Sequence, residues 1–166
     1  MSCLGSHIAI TAEQRAHLEA LPNGEERYFY ICDLEELDEE SWQTLDKSWD
    51  AIHRCLAEGT PDSEMLDTEW GAYPLKLAIL GGKHLGEQGE YLVHLIEPGQ
   101  VRDLTAALQE ITEERFAELY WKHCKGAYPE YGEEDLGYSW GYFEEMRDFF
   151  VRIAPSGRAV VFSADQ

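Results

Sequence analysis

Three residues within eight positions could do chemistry together: Asp46, Asp50 and His53. A carboxylate beside an imidazole can serve as an acid–base pair, and two carboxylates with a histidine can begin a metal site. The spacing allows either if the segment is helical, because residues three and four apart share one side of a helix. At about 100° per residue, Trp42, Leu45, Trp49, Ile52 and Leu56 form one apolar face. His53 falls within that face, Asp46 at its edge and Asp50 one turn before the histidine. Lys47 and Arg54 point away from the core. A catalytic metal needs a full ligand set and an open position, which is a stricter demand than sharing a helix edge. The architectural reading is therefore preferred: a core histidine must find hydrogen-bond partners, and nearby carboxylates supply them. No metal and no cofactor are expected.

Other constellations fail on spacing. His123 and Cys124 are chain neighbours, so on a helix their side chains diverge by about 100°; His53 and Cys55 are separated in the same way. Gly81-Gly82-Lys83-His84-Leu85-Gly86, with Gly89 beyond, lacks the phosphate-loop spacing and the dinucleotide fingerprint, and reads as a flexible turn.

Charge is the outlier of the composition. The 166 residues hold 13 Lys and Arg against 33 Asp and Glu, a net charge of −20. Nucleic-acid binders and proteins that dock on anionic membranes neutralise phosphates with cations, so both classes are disfavoured. Hydrophobic residues make up 44% of the chain, enough for a folded domain spanning residues 1–166. The apolar runs are far shorter than a membrane span, and the first charged residue is Glu13, with no basic leader before it. Cys3, Cys32, Cys55 and Cys124 are scattered, as in a cytoplasmic protein with free thiols.

Two stretches concentrate the acid. Residues 33–40 carry six carboxylates, with Leu34 and Leu37 spaced for an amphipathic turn. A second stretch interleaves acid with aromatics: Tyr128, Glu130, Tyr131, Glu133, Glu134, Asp135, Tyr138 and Trp140. Rigid aromatic surfaces ringed by carboxylates suit a partner that presents lysine and arginine.

The elements that must position these residues follow from periodicity and capping. Strands are expected at Leu4–Ile10, Tyr28–Cys32, Tyr91–Ile96 and Ala159–Ser163. Thr11-x-x-Gln14 is a capping box opening a helix that Pro22-Asn23-Gly24 ends. Ser41 caps a helix from Trp42 to Ala57, Pro98 opens another and Thr112 a third. The last helix carries Trp140, Phe143, Met146, Phe149, Phe150 and Ile153. Residues 60–74 read as a loop. Strands separated by helices predict an α/β layered domain with a mixed sheet.

The segment Leu45-Asp46-Lys47-Ser48-Trp49-Asp50-Ala51-Ile52-His53, followed by Leu56 and Gly59, resembles the signature of the YfbM-like family of bacterial proteins. So do Pro74-Leu75-x-x-Ala78-x-Leu80-Gly81, Tyr128-Pro129 and the closing helix and strand. The resemblance implies a compact α/β domain of unknown function. It marks Asp46, Lys47, Trp49, Asp50 and His53 as motif positions without a catalytic role. The expectation is a non-enzymatic cytoplasmic protein whose acidic surface binds a basic macromolecular partner, as an immunity-type inhibitor does. The alternative is a small-ligand binder or enzyme with a pocket around His53, Asp46, Asp50 and Trp49.

Overall fold

The computed structural model describes residues 4–58, 71–86, 91–127 and 129–165. In chain order these form β1 (Gly5–Ile10), α1 (Ala12–Ala20), α2 (Gly24–Leu37), β2 (Trp42–Asp46), α3 (Trp49–Leu56), β3 (Lys83–His84), β4 (Tyr91–Ile96), α4 (Pro98–Gln109), α5 (Glu113–His123), α6 (Glu133–Ile153) and β5 (Ala159–Asp165). The strands lie side by side as β2-β1-β5-β4-β3, and every neighbouring pair is antiparallel. The layered α/β architecture is the expected one. The pairing is antiparallel throughout, where a mixed sheet was expected from strands alternating with helices.

Strand alternation divides the sheet into two apolar faces. Ile8, Ile10, Val93, Leu95 and Val161 turn to one side and pack on Leu18 of α1 and on Ile31 and Leu34 of α2. Ala9, Leu92, Ile96, Val160 and Phe162 turn to the other and meet α3, α4, α5 and α6, which supply Ile52, Leu104, Phe116, Phe143 and Phe150 among others. The capping signals act as read. Thr11 and Gln14 complete the capping box of α1, and Thr112 accepts the Arg115 amide at the start of α5.

Two expected elements differ. Tyr28–Cys32 is helical, the middle of α2, and not a strand. Asn23 caps this helix, its Oδ1 accepting the Glu26 N–H at 2.9 Å, and the acid run continues the same helix to Leu37. Asn23-x-x-Glu26 is thus a start signal that outweighs the aromatic, β-branched look of the following residues. The second difference lies at Trp42–Ala57, which is not one helix. It is strand β2, a tight turn, and then α3 capped at Ser48. Asp46 takes φ of 48° at the turn, which breaks any helix there. The three-and-four spacing of Leu45 and Trp49 survives because an inward strand residue and an inward helix residue both reach the same core.

Most of the expected loop at 60–74, together with Cys3, Gly59, Gly89, Tyr128 and the side chain of Leu37, lies outside the described residues. Gly81 and Gly82 sit where main chains touch: a Cβ would stand 2.2 Å from the Lys76 carbonyl and 2.6 Å from the Leu95 carbonyl, respectively. That corner is close-packed, which differs from a flexible turn. Among the described residues no helix is long and apolar enough to cross a membrane.

Gly5 admits the Trp49 ring, since a Cβ there would fall 2.7 Å from Cδ1. Gly5→Ala is therefore expected to lower stability by about 1–3 kcal/mol in urea unfolding. Exposed Gly137 in α6 faces open space, so Gly137→Ala is expected to raise stability by about 0.5–1 kcal/mol.

Candidate functional site

The motif residues form an elbow between an edge strand and a helix. Asp46 ends β2, and its N–H donates to Thr44 Oγ1 at 3.1 Å. The Tyr138 and Tyr142 phenols of α6 lie close to the Asp46 carboxylate. The Lys47 N–H donates to the Tyr138 hydroxyl at 3.3 Å. Burial, chiefly, pushes the Tyr138 hydroxyl up to about 12. Trp49 is buried under Gly5 and against Phe162, with ring centroids 5.7 Å apart.

Asp50 pairs with Arg54 one turn along, Oδ2 to Nε at 2.9 Å, while its Oδ1 is buried without a hydrogen-bond donor. Arg54, expected to point outward, is only 7% exposed. The short helix α3 turns nearly all its residues inward, because helices pack on both flanks of it. His53 is buried, and burial first, then the Arg54 charge, lowers its pKa to about 4. Neither Asp46 nor Asp50 contributes to that shift. The helix edge that the sequence suggested for the three residues is absent, since Asp46 belongs to the strand.

Two hollows flank this elbow. One, of about 370 Å³, is lined by Lys47, Asp50, Ala51, Glu130, Asp135 and Tyr138. It joins motif residues to the acidic, aromatic stretch, which the sequence could not establish. His53, Trp49 and Asp46 are not in its lining. The other, of about 680 Å³, runs between α2 and β2 and is lined by Cys32, Glu35, Glu36, Glu39, Trp42, Gln43 and Thr44. The acid run therefore faces the edge strand. Ser6 Oγ donates to Glu35, and burial pushes the Glu35 carboxyl above its usual range.

The rest of the acidic, aromatic stretch serves the core and the helix start. Tyr131 stacks on Tyr120 at 5.4 Å and donates its hydroxyl to the Trp121 carbonyl. Glu133 and Glu134 occupy the first turn of α6, where the helix dipole favours negative charge. Trp140 is half-buried against Phe116 and Phe143, with the Arg147 guanidinium 5.6 Å from its ring centre.

A third hollow, of about 510 Å³, contains Arg15 and Arg158 near the starts of α1 and α4. Its cations are engaged internally. Arg15 holds Glu97 through two nitrogens at 2.5 and 2.6 Å, and Arg158 donates to Ser41 and Ser156.

Sequence reading missed a cross-strand row whose middle three members, His7, Phe162 and His94, are buried rings. In register across the sheet stand Gln43, His7, Phe162, His94 and His84. His7 Nε2 lies 2.6 Å from the Ala78 carbonyl and so carries the proton there. The His84 and His94 rings are 4.8 Å apart. The signal was present: two histidines stand on the same face as core residues of β1 and β4. Cys55 and Cys124 also escaped notice as a pair. Both are buried, with Cys124 Sγ 3.8 Å from the Ala51 carbonyl and the two thiols interacting, which pushes Cys55 far up. Such thiols are inert. Among the described residues no three acidic, histidine or cysteine side chains are placed to hold a metal ion.

An antiparallel sheet between two helical layers, with two carboxylate-lined hollows beside its β2 edge, defines the class: a compact α/β domain. The chain belongs to the family described as a domain of unknown function, DUF1877, which matches residues 1–163. Its fold is that of the crystal structure of YfbM, a protein of unknown function from Escherichia coli, at 15% identity and a TM-score of 0.65. That similarity covers 97% of this chain and 99% of the other. No curated protein matches.

The histidines predict acid sensitivity. Burial lowers His7 and His53 to about 4 and His94 to about 3, against about 6.5 when unfolded. The unfolded chain then takes up protons first, so stability is full above pH 6.5 and falls as pH drops towards 4. Each histidine contributes about 3 kcal/mol across that window. Glu35, shifted upward, acts in the opposite sense. Urea midpoints are expected to fall from pH 7 to pH 5, and His94→Gln to remove about one proton from the slope.

Proposed function

We propose that this protein is a non-enzymatic cytoplasmic interaction protein whose acidic surface holds a basic macromolecular partner, in the manner of an immunity-type inhibitor. The observation that carries the reading is the lining of the two hollows beside the β2–α3 elbow. Glu35, Glu36 and Glu39 meet Trp42 in one, and Asp50, Glu130 and Asp135 meet Tyr138 in the other. Carboxylates around an aromatic surface provide both charge attraction and desolvated contact area for lysine and arginine. A net charge of −20 adds long-range steering, which speeds encounter with a cation-rich surface and repels nucleic acid.

The rival reading, a small-ligand or catalytic pocket around His53, has less support. His53 and Trp49 are buried, and neither lines the neighbouring hollow. The free thiols suit a reducing cytoplasm.

Binding to a panel of basic and acidic proteins of matched size is the test. Association is expected with basic members alone, weakening at least about ten-fold between low and physiological salt. Equal binding to both sets, or binding indifferent to salt, would rule the reading out.

A further inference from the structure

We infer that the groove between α2 and β2 is the seat of an arginine-bearing segment of the basic partner, its guanidinium lying between Trp42 and the carboxylates of Glu35, Glu36 and Glu39. This rests on the interaction reading above and names its site.

The groove combines three independent features. First, it is the largest of the hollows described, and one wall is a terminal strand of the sheet. Second, Glu35, on the α2 side of the groove, is a half-buried carboxylate whose neutralising contacts among the described residues are the Ser6 hydroxyl and the neighbouring Trp42 indole. Neither it nor Glu36 nor Glu39 has an ion-pair partner among the described residues. A carboxylate drawn out of water without a cation is a standing electrostatic cost that an incoming guanidinium relieves. Third, the Trp42 ring lines the groove beside Glu35, with its indole N–H turned away from solvent. The indole face offers a cation–π surface to the incoming guanidinium.

The alternative for a basic segment at a sheet edge is strand addition to β2. Gln43 stands against it. Its amide nitrogen donates to the Thr44 carbonyl at 3.0 Å and to Glu145 at 2.9 Å, covering main-chain polarity that an added strand would need. Side-chain insertion requires no such opening. Arginine fits better than lysine, because a planar fork can bridge two carboxylates while stacking on the indole.

The probe is an octa-arginine peptide, with octa-lysine beside it, titrated into the intact protein at low salt. Trp42→Phe assigns the Trp42 indole resonance. The groove variant Glu35→Gln, Glu36→Gln, Glu39→Gln is compared with Glu113→Gln, Glu114→Gln, Glu118→Gln on exposed α5, which has the same net charge. Wild type is expected to bind octa-arginine with a shift of the Trp42 indole. The groove variant is expected to bind at least about ten-fold more weakly and the α5 variant within about three-fold of wild type. Thermal melts confirm that both variants are folded, and the wild-type indole shift reads the site without any substitution of the acids. Equal weakening by the two variants, or an unmoved Trp42 indole, overturns the groove and leaves the broader interaction reading standing. Absence of salt-sensitive binding to either peptide overturns both.

Discussion

The structure depends on the pairing of β1 with β5, which brings the two ends of the chain together at the middle of the sheet. Six consecutive residue pairs hold them, from Gly5 opposite Ala164 to Ile10 opposite Ala159. Every other strand is added outward from this pair, β2 on one side and β4 then β3 on the other. Both helical layers close on its two faces, through Ile8 and Val161 on one and Ala9 and Phe162 on the other. A contact of such long sequence separation carries a loop-closure entropy that the packing on its two faces must offset.

The same centre explains why ionisable groups are tolerated inside. Phe162 sits in register between His7 and His94, so two imidazoles lie under the large helical layer. They are held neutral by burial, in a molecule whose surface is strongly negative. Neutral buried imidazoles leave the surface carboxylates as the dominant source of field. Internal architecture and external charge are thereby separable.

Much of the layering was legible in the sequence because local signals and burial agreed. Thr11-x-x-Gln14, Pro98 and Thr112 each start the helix they announce. Tyr91–Ile96 is a strand bounded as its composition indicates. Legibility failed where one pattern serves two structures. Leu45 and Trp49 keep helical spacing across a strand and a turn, because only the core they reach, and not the path between them, sets the pattern, whereas Trp42 stands opposite Ile8 on the other face and lines the groove beside α2. The acid run was visible as charge, but its surroundings depend on which element faces it. That is fixed by β2 taking the outer place beside β1, a tertiary fact with no local trace. The motif residues divide in the same way: Lys47 and Asp50 reach a hollow, Trp49 and His53 enter the core.

Acid along an edge strand has a bland explanation that must be weighed against binding. Charged residues near a sheet edge discourage unwanted strand pairing, and net negative charge keeps proteins apart. That account requires carboxylates in water, where they repel cheaply. Glu36 and Glu39 meet the requirement, being exposed. Glu35 does not. It is drawn in beside Ser6, against its own solvation, and gains no cation there. Edge protection is already provided by the Gln43 amide over Thr44 and by Glu145 behind it. A half-buried carboxylate adds nothing to that protection and costs stability while it remains ionised. The Ser6 hydroxyl and the Trp42 indole offset part of that cost within the fold, and under the arginine-seat proposal an incoming guanidinium offsets the rest.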